Sequence, residues 1–147
     1  MEFSPDGCLL GVPGAVYQTY KGSFYSSLLF GVDNFSKPPF ILQFLEPTIS
    51  VTFDPNPYQK STKNNLYQTK TNFLFMIMGP TLTCLYSTNS IEPLYLISNL
   101  HLLPLTSLRW TKDSSFAISS MDGFITFGKY SYTKEPIETT SDSEDSL

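Results

Sequence analysis

The chain has 147 residues, 41% hydrophobic and 15% aromatic, with a formal net charge of −4; that length suits one domain. Phe, Tyr, Val, Ile and Thr crowd its apolar segments and no sustained helical stripe interrupts them, so an all-β fold is expected. Glu135, Glu138, Asp142, Glu144 and Asp145 face a single Lys134 within residues 133–147, so the net charge sits there and the body is balanced, without the clustered Lys and Arg of direct, sequence-specific nucleic-acid binding.

The start, Met1-Glu2-Phe3-Ser4-Pro5, has neither the basic nor the apolar region of a secretory signal. A soluble, intracellular product is therefore expected. Phe3 leads into a Ser-Pro-Asp-Gly turn, and Leu9 to Val12 reads as a strand closed by a Pro13-Gly14 turn. Further strands are expected around Ser27 to Val32 and Phe40 to Leu45. A second group begins with Thr48 to Phe53, and Phe53 again precedes a polar turn, Asp54-Pro55-Asn56-Pro57. The run from Asn56 to Asn72, rich in Lys, Asn, Gln and Thr, reads as an inserted loop, with Lys60, Lys63 and Lys70 as solvated charges. Strands then follow at Phe73 to Met78, Leu82 to Tyr86 and Leu94 to Ile97, the first two separated by a Gly79-Pro80 turn. Phe73 to Met78 falls far short of the roughly 20 apolar residues of a membrane span, so no membrane partner is expected. Cys8 and Cys84 have no CxxC and no His at metal spacing; they read as buried free thiols, with no metal site and no disulfide framework.

The third group is the most regular. His101 lies in a loop before an apolar strand ending at Trp110; a Lys112-Asp113 turn, the strand Phe116 to Ser119, an Asp122-Gly123 turn and Phe124 to Phe127 complete it. Each turn pair suits a tight reversal, Asp by capping backbone N–H groups and Gly by accepting positive φ. The order resembles one repeat of a WD-type β-propeller. In such repeats a His before the first strand sits against the Asp of the turn between the second and third strands, the places His101 and Asp122 occupy. The usual Trp of the third strand is absent, with Phe127 and Gly128 near its place. The structural repeat positions are thus His101, Trp110, Asp113, Ser119, Asp122 and Gly123, and Ser120 belongs to the same packing unit.

Phe3, Phe53 and Trp110 each stand directly before a polar turn, a degenerate self-similarity at intervals longer than the roughly 40–45 residues of a WD blade. The expected architecture is an incomplete WD-repeat β-propeller of about two and a half four-stranded antiparallel blades, where propellers close with about 4–8. The blades are placed at residues 1–45, 46–97 and 98–132, the last without an evident fourth strand, followed by an acidic disordered tail, 133–147. Three explanations fit the deficit: a longer protein with upstream blades, a propeller completed by another chain, or a different small all-β fold. The opening inside a strand favours the first.

Phe3-Ser-Pro-Asp-Gly-Cys-Leu-Leu with Pro13-Gly14, Leu28 to Phe44 with Lys37-Pro38, Ile49 to Pro57, and above all Ser98-Asn99-Leu100-His101 leading to Trp110 and Ala117-Ile-Ser-Ser-Met-Asp-Gly carry a further resemblance. Over nearly all of residues 3 to 132 the chain resembles the last blades of the middle, WD-repeat subunit of chromatin assembly factor 1. The WD subunit of HIRA-type histone chaperones shares several of these segments and is the close alternative. The resemblance implies a non-catalytic, nuclear subunit that escorts histones three and four, binds the large subunit of the complex and supports replication-coupled nucleosome assembly; the HIRA-type alternative implies assembly independent of replication. No Gly-rich phosphate loop or paired carboxylate suggests an enzyme or a cofactor. The acids Glu135, Glu138, Asp142, Glu144 and Asp145 form either a solubilising end or a surface attractive to basic histones. A generic WD interaction scaffold and a small β-protein that binds an apolar ligand are readings from other classes.

Overall fold

The uninterrupted apolar run Phe73 to Met78 becomes the centre of the molecule. A strand facing solvent on one side alternates apolar with polar residues, whereas one covered on both faces is apolar throughout. The computed structural model describes residues 1–60, 67, 69 and 71–131, and among them every regular element is a β-strand. Among the described residues no helix is long and apolar enough to cross a membrane.

The first sheet holds β1 (Glu2–Phe3), β2 (Leu9–Thr19), β3 (Gly22–Gly31) and β4 (Phe40–Phe44) in chain order. The second holds β5 (Ser50–Lys60), β6 (Thr71–Met78), β7 (Leu82–Ser87) and β8 (Tyr95–Ser98), again in order, and the third holds β9 (Leu105–Trp110), β10 (Ser115–Ser120) and β11 (Ile125–Lys129). Every pairing is antiparallel. Among the described residues two four-stranded sheets and one of three strands, stacked face to face, make the all-β, incomplete WD-repeat propeller expected from the sequence.

The sheets stack through two apolar layers that share β6. Phe73, Phe75 and Ile77 face the first sheet and meet Leu9, Leu29, Leu42 and Phe44. Their neighbours Leu74, Met76 and Met78 point the other way, onto Leu105, Leu108, Phe116 and Ile118. The period of two along a strand produces this division, and a slip of one residue would exchange the layers. Polar bonds fix how the sheets meet. Between the first two, the Phe53 N–H donates to Glu2 Oε1 (3.1 Å), and in the connection from β4 to β5 buried Thr48 Oγ1 ties the chain to the first sheet, accepting from the Gly14 N–H (2.7 Å) while donating to the Ser26 carbonyl (3.1 Å).

Several local expectations are corrected. Pro13-Gly14 is not a reversal: it is a bulge inside β2, where the register shifts between Val12 and Ala15. Pro lacks a ladder N–H and Gly14 takes φ +78, so the pair bends the strand and lets it continue. The chain reverses at Tyr20-Lys21, and β3 accordingly begins at Gly22 instead of Ser27, with Thr19 opposite Gly22. Phe53 does not precede a turn, and the expected insertion from Asn56 is partly strand. β5 passes through Pro55 and Pro57 with two register shifts and still pairs Pro57 with Phe73 and Lys60 with Thr71. Lys60 is thus a strand residue, while Lys63 and Lys70 lie outside the described residues. The expected tail, 133–147, also lies outside them.

Candidate functional site

Two polar clusters lie at opposite ends of the third sheet. At one end, β10 runs into a turn at Asp122-Gly123, where the Gly123 N–H donates to the Ser120 carbonyl (3.2 Å). The turn aims the Asp122 carboxylate at the loop preceding β9. There it accepts the Nδ1–H of His101 (3.1 Å to Oδ2, 3.2 Å to Oδ1), the Leu102 N–H (3.1 Å) and the Phe124 N–H (3.0 Å). Desolvation opposes its charge, but the Phe124 and Leu102 N–H groups and the imidazole outweigh it, holding the Asp122 pKa below the usual aspartate value. An ionised carboxylate only accepts, so Nδ1 carries the ring proton, and in the neutral imidazole Nε2 accepts the Thr126 hydroxyl (3.0 Å). The His101 side chain is 3% exposed and both its nitrogens are engaged. A general base needs a nitrogen within reach of a substrate proton; this geometry instead locks a loop onto a turn.

Ser119 and Ser120 divide across the strand. Ser120 Oγ donates to the carbonyls of Leu103 and Pro104 (2.8 and 3.1 Å), holding the same loop from below. Ser119 Oγ lies 3.0 Å from Thr106 Oγ1 and is not among the hydrogen-bond partners of His101 or Asp122.

At the other end, Trp110 closes β9 and stands edge-on to Phe116 (5.7 Å between centroids), and its Nε1–H donates to the Thr52 carbonyl of β5 (3.2 Å). The turn after it is held by Asp113, which accepts hydrogen bonds from the hydroxyls of Thr111 and Ser115. These bonds, Thr111 first and then Ser115, lower the Asp113 pKa. The turn also reaches the second sheet. Asn56 Nδ2 donates to the Lys112 carbonyl (2.7 Å), and Ser114 Oγ donates to Asp54 Oδ1 (3.0 Å). Asp54 is itself buried and accepts the Asn56 N–H (2.9 Å).

The structure therefore brings His101, Asp122 and Gly123 together, places Trp110 and Asp113 at the far end of the same sheet, and sets Ser119 apart from both. Sequence reasoning misses Thr126, Asp54 and Asn56. Thr126 is recognisable only once the β10–β11 register is known, and Asp54 and Asn56 read locally as a turn and a loop. Gly128, near the place of the missing Trp, has a physical role. A Cβ there would come within 2.3 Å of the Phe116 ring, so the glycine leaves that ring its seat. Among the described residues no group of three or more His, Cys, Asp or Glu could hold a metal ion.

No protein-family model matches the chain. It is 30% identical over 139 residues to a Saccharomyces cerevisiae protein, the chromatin assembly factor 1 subunit designated B, in an alignment covering 86% of this chain and 29% of that protein. The equivalent subunits of the same name from Mus musculus (25% over 140 residues) and Gallus gallus (26% over 140 residues) match over 86% of this chain and 24% and 25% of their own lengths. The chain thus spans about a quarter of the length of the curated relatives it matches.

Proposed function

We propose that the chain is blade-forming material of a WD-repeat subunit of a histone chaperone complex, with the blades at residues 1–45, 46–97 and 98–132. It acts in the nucleus without catalysis, supporting replication-coupled nucleosome assembly by binding histones three and four and the large subunit of the complex. The observation that carries this reading is the similarity to the chromatin assembly factor 1 subunits across 86% of the chain. On this reading His101, Trp110, Asp113, Ser119, Asp122 and Gly123 are structural. His101, Asp122 and Gly123 join the loop before β9 to the β10–β11 turn, while Trp110 and Asp113 secure the third sheet to the second. Glu135, Glu138, Asp142, Glu144 and Asp145 supply the concentrated negative charge that draws a basic histone.

Affinity capture with the full 147-residue chain from nuclear extract tests the proposal. Recovery of histones three and four with a large complex subunit supports it. Histones recovered with replication-independent chaperone subunits instead would move the chain to the HIRA-type class, and cullin or coat components alone would make it a generic scaffold. Removing residues 133–147 lowers histone recovery if the tail is a contact; unchanged recovery would eliminate the tail's role.

A further inference from the structure

Where the first two sheets meet at their outer strands, they leave a groove of about 500 Å³ lined mostly by apolar side chains. One wall is β4 and the residue after it, since Ile41, Leu42, Gln43, Phe44 and Leu45 all border the groove. Side chains alternate faces along a strand, so one face would supply only every second residue. Five successive residues lining one groove mean that the strand presents its edge. β4 ends the order of the first sheet, and among the described residues no backbone hydrogen bond joins Phe40–Phe44 to anything but β3. The opposite wall is Leu82, Cys84 and Tyr86 of β7, with Ile91, Pro93 and Leu96.

Free edges are usually guarded by charge, by proline or by a bulge. β4 reads Phe-Ile-Leu-Gln-Phe and has none of these. Exposed apolar side chains border it, Leu45 at 82% and Leu96 at 56%, with Gln43 the one polar residue of the lining strand. Such an edge beside an apolar trough has the two components of strand-addition recognition, main-chain partners for affinity and pockets for alternate side chains. The charged residues next to its lining in the chain are acidic. The lining contains no Lys or Arg, and the charged chain neighbours of the lining residues are Glu46, beside Leu45, and Glu92, between Ile91 and Pro93.

We infer that the groove between β4 and the β7–β8 hairpin docks an extended segment of a partner protein, apolar at alternate positions and flanked by basic residues, which adds to the first sheet as a strand beside β4. The segment's main chain completes the open ladder of β4, its inward apolar side chains fill the trough over Leu42 and Cys84, and its basic flanks meet Glu92 and the negative charge of Glu46, whose carboxylate also accepts from Thr81 and Leu82. This inference rests on the edge and the trough, so it stands or falls separately from the chromatin reading.

The test uses the full 147-residue chain and a labelled synthetic peptide of about eight residues, the length of an ordinary strand, with valine and threonine alternating between terminal lysines. A control peptide has the same composition with its valines grouped. Fluorescence anisotropy is expected to show saturable binding of the alternating peptide, at least about tenfold tighter than the control. Leu96→Lys weakens it about tenfold or more by placing a charge in the trough, and Glu92→Lys weakens it a few-fold in a salt-sensitive manner. In the complex the outward amides of β4 gain protection from hydrogen exchange. Should Leu96→Lys fail to fold, Ile91→Lys, an exposed loop position, takes its place. Absence of saturable binding, equal affinity for both peptides, or affinity unchanged by these variants would overturn the inference. So would concentration-dependent self-association lost in Leu96→Lys, which would give the groove to a second copy.

Discussion

Replacing Phe75 by Ala strikes the layer between the first and second sheets at a fully enclosed point. The ring is 0% exposed, stacked on Tyr86 (5.3 Å between centroids, 12° between planes) and tilted against Phe53 (5.4 Å, 37°). Truncating a buried Phe to Ala costs about 3–5 kcal/mol, the transfer term plus the cavity, out of a total stability that for most domains is about 5–15 kcal/mol. With a urea slope of about 2 kcal/mol per molar, typical of small proteins, the unfolding midpoint falls by about 2 M. Phe127 is the matched control, an aromatic residue on the outward face of the third sheet and 73% exposed. Phe127→Ala changes stability by about 0.5 kcal/mol or less. The assay is urea unfolding of the intact chain, followed by Trp110 fluorescence and far-ultraviolet circular dichroism. Equal shifts for the two variants would refute the reasoning, because they would mean that the layer drawn between the sheets does not distinguish inside from outside.

Three further outcomes follow from the same contacts. Gly128→Ala drives a Cβ into the Phe116 ring and lowers stability by about 1–3 kcal/mol; Phe116→Leu in the same chain recovers part of the loss, and additive losses would contradict the contact. Because the Asp122 pKa is depressed in the fold, its contribution is present above the ordinary value of 3.8 and is lost as pH falls through the folded value. Asp122→Asn is therefore less stable at neutral pH and shows a shallower acid dependence below that point, whereas an unchanged acid profile would exclude the network. Burial first and the Glu46 carboxylate second push the Cys84 thiol up to about 11, so iodoacetamide labels Cys8 in the folded chain and reaches Cys84 on unfolding; equal labelling rates read by mass spectrometry would contradict this.

The elements legible in the sequence are those governed by side-chain period and local turn chemistry. Phe73 to Met78 declares a strand, and Asp122-Gly123 declares its turn, because both signals are local. Pro13-Gly14 misleads because a Pro-Gly pair is compatible with a reversal and with a bulge, and the choice depends on whether a partner strand continues alongside. β3 does continue, with Phe24 and Tyr25 opposite Tyr17 and Val16. Asn56 looks like loop material because its side chain is polar and flanked by prolines, yet it spans two sheets to reach the Lys112 carbonyl, a contact separated by too many residues for any window to see. Thr126 is invisible for the same reason: only the register that sets it near His101 gives its hydroxyl a role.

The claim on which the fold rests is that the second sheet lies between the other two, covered on both faces. Native-state hydrogen exchange of the full chain tests it most directly. With both faces covered, the amides of β6 from Phe73 to Met78 are expected to be the slowest in the molecule, opening only with global unfolding, while those of β4 and β11 exchange faster through local openings. Amides of β6 that exchange as fast as those of β4 or β11 would contradict it.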